Sequence, residues 1–203
     1  MKKTWLTLFL LTALFSLQGQ IVENKVLREF NRLTSSKIDT LLIYNLYCNG
    51  GLIPFDSCKY ENDQFLFWKE DTNYFCKKFS YCKAYKAVLL ETNNPLAFYL
   101  SNKFTIDKET IKEPVFISTK KKGVQTIETI TVDHTCFYEM TFVLNKKKTT
   151  KSVNDFFLTF EKFDNGKPNT NFKSNQNTKL RLLIETIQQV ISKFDTENKL
   201  IEE

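Results

Sequence analysis

The chain has 203 residues, a formal net charge of +6, 19 phenylalanines, five glycines and four prolines. So much aromatic and so little Gly and Pro argue against a disordered or low-complexity protein. The basic excess is too mild to call for nucleic acid or an anionic membrane as partner, and a single histidine leaves little from which to build an imidazole metal centre.

Residues 1–19 have the three parts of a cleavable signal peptide. Lys2 and Lys3 form the positive end, and Leu6 to Leu17 is almost wholly apolar but shorter than a bilayer span. Gly19 is a small residue suited to the peptidase, which places the cut near Gly19–Gln20, although Leu17 two positions earlier is bulkier than the preferred type. No cysteine lies near the cut for lipid attachment. Residues 20–203 are therefore expected to form a single exported α+β domain, secreted or periplasmic, with disulfide bonding permitted and no later apolar run of spanning length.

Val22, Val26, Phe30 and Leu33 recur at helical spacing and predict an opening amphipathic helix. Ile38–Cys48 reads as a strand that stops at Asn49, Gly50 and Gly51. Two further strands, Phe65–Lys69 and Tyr74–Phe79, are predicted to join through Asp71, Thr72 and Asn73. With Glu70 facing Tyr74, Trp68 faces Cys76 and Asn62 faces Cys82. That register brings Cys58 and Cys82 to the open end of the hairpin, where a bridge is expected. The five cysteines, Cys48, Cys58, Cys76, Cys82 and Cys136, leave at least one unpaired, and none stands in a CxxC pair of the kind zinc sites use.

Tyr85–Leu90 reads as another strand. Asn94 before Pro95 has the form of an N-cap with proline at the first helical position, which predicts a helix over Leu96–Phe104. After a strand at Val115–Ser118 and a turn at Lys120–Gly123, Val132, His134, Cys136, Tyr138, Met140, Phe142 and Leu144 occupy every second position. This alternation predicts one long strand from near Ile130. A loop at Asn145–Lys151 and a strand at Phe156–Phe163 are expected to follow. Asp164–Thr178 reads as a polar linker, and Leu180, Leu183, Ile184, Ile187, Ile191 and Phe194 form a helical stripe that Thr178 could cap. The fold class expected is α+β: an antiparallel sheet of about six or seven strands, with the N-terminal and C-terminal amphipathic helices packed on one face.

His134 and Cys136 invite a thiol-nucleophile or metal reading. Same-face neighbours on one strand are about 6.6 Å apart, too far for the contact such a pair needs, so a core cysteine and a partly buried histidine are expected. Lys120–Lys122 and Lys146, Lys147, Lys148 and Lys151 are expected at opposite ends of the long strand, as charged tips that discourage edge pairing. The aromatic hairpin, Phe65, Phe67, Trp68, Tyr74, Phe75 and Phe79, could line an apolar cup but reads first as sheet core. None of the common catalytic motifs is present, and nothing favours any pair among Glu128, Asp133, Glu139 and Glu161 as a carboxylate site. No catalytic, cofactor-binding or metal residue is assigned, and no cofactor is expected. The function expected is an exported non-catalytic binding or interaction domain with a protein or apolar ligand as partner. The alternatives are a hydrolase with an unrecognised site and a structural component of the cell envelope.

Overall fold

The computed structural model describes residues 25–49, 63–80, 83, 85–91, 94–119, 125–130 and 132–196. The signal segment, Cys58 and Cys82 lie outside these residues, as does the Lys120–Lys122 cluster.

Six strands form one antiparallel sheet in the order β4-β3-β2-β1-β7-β8: β1 is Thr40–Cys48, β2 Gln64–Glu70, β3 Asn73–Phe79, β4 Val88–Leu89, β7 Cys136–Leu144 and β8 Lys147–Asn154. A separate ribbon pairs β5, Val115–Thr119, with β6, Gln125–Thr129. The helices are α1 (25–35), α2 (Pro95–Lys108), α3 (Asp155–Thr159), α4 (Phe172–Gln176) and α5 (Lys179–Thr196). An α+β fold with an antiparallel sheet is therefore what the chain forms.

Side chains alternate across a strand, and here both faces of the sheet carry a core. On one face Leu42, Tyr44, Phe65, Phe67, Met140 and Phe142 pack with Leu96, Tyr99 and Ile106 of α2 and with Leu180, Leu183, Ile184 and Ile187 of α5. On the other, Leu41, Leu66, Trp68, Phe79 and Val143 pack with Val26 and Leu33 of α1. The terminal helices thus share their cores with opposite faces, not one face as expected. Leu41 and Leu42 are successive residues of the central strand, and burial of both forces a helix on each side.

Helix boundaries follow local chemistry. Asn94 Oδ1 accepts the Leu96 and Ala97 N–H groups, and Pro95 opens α2 as expected. Thr178 Oγ1 accepts the Arg181 N–H and caps α5. The end of α1 carries no glycine: Lys37 takes φ 65°, the Ile38 N–H reaches the Leu33 carbonyl at 3.1 Å and the Lys37 N–H reaches that of Thr34 at 3.1 Å. This is the double bond of a Schellman turn, with buried Ile38 and Leu33 as its apolar contact.

Four expectations need correction. The β2–β3 turn has two residues, not three, with Asp71 at φ 52°, so Glu70 faces Asn73, Trp68 faces Phe75 and Phe67 faces Cys76. The long strand expected from near Ile130 is shorter: a bend occupies Asp133–His134, β7 starts only at Cys136, and β6 ends before it at Thr129. An interruption that preserves the alternation is invisible to a period-two pattern. The segment expected as the 145–151 loop is mostly β8, joined to β7 by a two-residue turn in which Asn145 and Lys146 have φ of 48° and 69°. Lysines suit that strand because it is an edge. Phe156–Phe163 is not a strand, for Asn154 caps a short helix there and the Phe156 and Phe160 rings meet at a tilt one helical turn apart, with centroids 4.5 Å apart. In addition, only Val88–Leu89 of the Tyr85–Leu90 segment forms a strand, and Tyr85 makes an isolated bridge.

The polar stretch 164–178 is packed, not a linker. Buried Asn169 accepts the Val115 and Asn171 N–H groups and donates to the Phe160 carbonyl. Buried Asn175 accepts the Lys112 N–H and donates to the Lys112 and Phe157 carbonyls. Two amides thereby satisfy backbone groups that would otherwise be costly to bury.

Cys48 and Cys136 form a disulfide between facing residues of β1 and β7. The adjoining Asn49 N–H bonds the Thr135 carbonyl, while the Cys136 N–H goes to Asp155 Oδ1. The cysteines therefore sit at a position that exchanges no ladder bonds, where facing side chains approach most closely. With a sequence separation of 88, the chain-entropy relation puts the stabilisation at about 4 to 5 kcal/mol. Replacing both by serine is expected to lower the urea midpoint by a corresponding amount, and an unchanged midpoint would contradict this role.

Candidate functional site

The residues singled out by sequence do not converge. Cys136 is consumed by the disulfide, which corrects its reading as a core cysteine. His134 is exposed in the bend before β7, which corrects its reading as partly buried, and among the described residues it has no hydrogen-bond or ion-pair partner. Cys76 is the free cysteine of the described residues; burial raises its thiol well above the ordinary value, the opposite of what a nucleophile requires. Glu128 is exposed on β6, Asp133 in the bend and Glu161 after α3; Glu139, on β7, lines a cavity. No group of three or more His, Cys, Asp or Glu among the described residues is placed to hold a metal ion.

A concavity of about 490 Å³ lies between α2 and the β7–β8 hairpin and is lined by Tyr99, Lys103, Phe142, Leu144, Lys147 and Thr149, with Asn145 at the turn. Register explains its construction. Leu144 faces Lys147 and Phe142 faces Thr149, so the floor comes from β7 and one wall from β8. The other wall is α2, whose Tyr99 ring lies face to face with Phe142, centroids 3.6 Å apart. Lys151, two positions beyond Thr149 on the same face of β8, donates to the Asp107 and Glu109 carbonyls at 2.7 and 2.9 Å. A cation on the C-terminal carbonyls of α2 complements the negative end of that helix and fixes it over the strand.

One turn and two turns along α2 from Tyr99 stand Lys103 and Asp107. The Tyr99 hydroxyl donates to Asp107 Oδ1 at 2.8 Å, and Lys103 pairs with Asp107 Oδ2. Burial, reinforced by the Asp107 carboxylate, pushes the Tyr99 phenol well above its ordinary range, so it stays protonated as a donor. For Asp107, burial is the largest single influence and raises the pKa, but hydrogen bonds from Lys103 and Tyr99 with the charges of Lys103 and Lys151 outweigh it and hold the carboxyl below its ordinary 3.8. Lys147 on the opposite wall is exposed and, among the described residues, has no ion pair. The cleft thus combines an aromatic and aliphatic floor, one neutralised lysine, one unneutralised lysine, and the Asn145 and Thr149 side chains. This suits a ligand with an apolar body and an anionic group. The sequence hides the site, because Lys147 and Thr149 read as loop residues unless β8 is recognised.

The Asp107 network has a pH signature. A carboxyl whose folded pKa is depressed contributes stability that is complete above its unfolded value and is lost as pH falls through the folded one. Wild-type protein is therefore expected to lose more stability than Asp107→Asn between about pH 5 and about pH 2, as read by urea melts across that window. Parallel profiles would contradict the network.

No protein-family model, no curated protein and no solved structure matches this chain.

Proposed function

We propose that the protein is a non-catalytic binding domain, secreted or periplasmic, that captures a small amphipathic anion in the cleft between α2 and the β7–β8 hairpin. The observation that carries this reading is the pairing of an apolar floor, Phe142 and Leu144, with a lysine at the rim, Lys147, that no acidic side chain among the described residues neutralises. Around 490 Å³ lies within the range of ordinary small-molecule sites. The cleft offers donors, but its one phenol is held protonated and its nearby carboxylate is engaged by Lys103, an arrangement that orients a ligand and supplies neither nucleophile nor general base. The intramolecular disulfide accords with an oxidising compartment, and among the described residues no helix is long and apolar enough to cross a membrane.

A second reading, assembly within the cell envelope, is favoured by the β5–β6 ribbon. Ile117 and Ile127 face one another there, 50% and 72% exposed. Phe116 on its other face packs edge-on against Phe163, which fixes the ribbon's orientation.

The binding reading is tested by calorimetric titration with 4-phenylbutyrate and with 4-phenylbutanol, its uncharged analogue. The acid is expected to bind at least about tenfold more tightly, the equivalent of about 1.4 kcal/mol, and Lys147→Ala is expected to remove that preference. Failure of the acid to bind, or equal binding of both compounds, would count against the cleft as an anion site.

A further inference from the structure

On the sheet face opposite that cleft, next to α1, a cavity of about 290 Å³ is lined by Val26, Leu27, Ile43, Asn45, Gln64, Glu139, Thr141 and Lys148. Its polar floor is built by register. Asn45 faces Gln64 on β2 and Glu139 on β7, so the three side chains form one row across the centre of the sheet. The preceding row, Leu66, Ile43 and Thr141, and the α1 residues Val26 and Leu27 supply a mostly aliphatic wall.

Asn45 Oδ1 is shielded from solvent and has no hydrogen-bond partner, an arrangement native proteins avoid unless a ligand or solvent group completes it. Beside it, among the described residues, the half-buried Glu139 carboxylate has neither an ion pair nor a hydrogen bond from its side chain, and the Gln64 side chain makes none either. Thr141 is engaged with Thr150, hydroxyl to hydroxyl at 3.2 Å. Lys148 lines the cavity from its far end: it faces Val143, whereas the β8 residue opposite Glu139 is Ser152, four positions and about 13 Å further along the strand. The row therefore presents a carboxylate and amide oxygens that call for a charged donor, and the aliphatic wall suits a short hydrocarbon chain.

We infer that this cavity is a second binding site, independent of the anion cleft, and that it takes a primary ammonium group on a short aliphatic chain. The ammonium donates to the Asn45 amide oxygen and the Glu139 carboxylate while its chain lies against Val26, Leu27 and Ile43. Three donors on an ammonium can satisfy Asn45, Glu139 and Gln64 together, which neither an alcohol nor a carboxylate can do.

The test is a 1H–15N NMR titration of the folded, oxidised protein with n-butylammonium, n-butanol and butyrate. Saturable shifts of the Asn45 side-chain amide are expected with n-butylammonium and at least tenfold weaker response with the other two. Glu139→Gln is expected to weaken the amine at least tenfold, and Lys148→Ala is expected to leave it bound. A short acetylated peptide containing one lysine distinguishes the source: its binding assigns the site to a lysine side chain, and binding of n-butylammonium alone assigns it to a free amine. Absence of saturable shifts, or an equal response to n-butanol, overturns the inference and leaves Asn45 to an ordered water. The three-ligand comparison needs only wild-type protein, so a variant that failed to fold would not protect the proposal.

Discussion

Burial of β1 on both faces is the constraint on which the structure depends. It lies between β2 and β7, and Leu41, Leu42 and Tyr44 are all buried, so apolar groups must cover it from above and below. A strand of this kind cannot sit at an edge or face water. One neighbour, β2, is the next strand in the chain, whereas the other, β7, comes from a distant part of it. The Cys48–Cys136 bridge closes that long-range pairing at one end. At the other, the Asn145 N–H of the β7–β8 turn bonds the Asp39 carbonyl just before β1. Such non-local pairing carries a large loop-closure cost, and a covalent link placed on it lowers the cost where it is greatest.

The helices on the better-filled face are positioned by polar groups that leave few freedoms. Glu109, immediately after α2, accepts the Lys179 and Leu180 N–H groups at the start of α5, so the end of one helix holds the beginning of the next. A carboxylate at that terminus also meets the positive end of the helix dipole. Lys151 holds the end of α2 to β8, and Asn169 and Asn175 fasten the irregular segment before α5 to the segment after α2. Both concavities follow from this framework. One opens where α2 leaves the β7–β8 hairpin uncovered, and the other where the opposite face turns polar at Asn45 beside α1.

The legible parts of the sequence were those where one local rule acts alone. The α5 stripe, the Asn94–Pro95 start of α2, the Thr178 cap and the β1 run each depend on spacing or capping within a few residues. What stayed hidden depended on partners distant in sequence. Alternation through His134 and Cys136 continued across a bend because parity was preserved. The Lys147–Lys151 run looked like a loop because an edge strand has no need of an apolar face. Asn169 and Asn175 looked like linker residues because the Val115 and Lys112 backbone groups they bind lie more than fifty positions away. Turns were obscured by the use of Lys37, Asp71, Asn145 and Lys146 at positive φ where glycine is the usual marker. The cleft was invisible for the same reason as β8, and Glu139 could not be separated from three other carboxylates without the row that sets it beside Asn45.

Native-state hydrogen exchange tests the doubly buried central strand most directly. The amides of Leu41 to Leu46 and their partners on β7 are expected to exchange only through global unfolding, with free energies equal to the stability from denaturant melts. Those of β4 and the outward side of β8 should exchange through smaller openings. If β1 amides exchanged as fast as those of β4, the strand could not be the element that both cores share, and the account would fail.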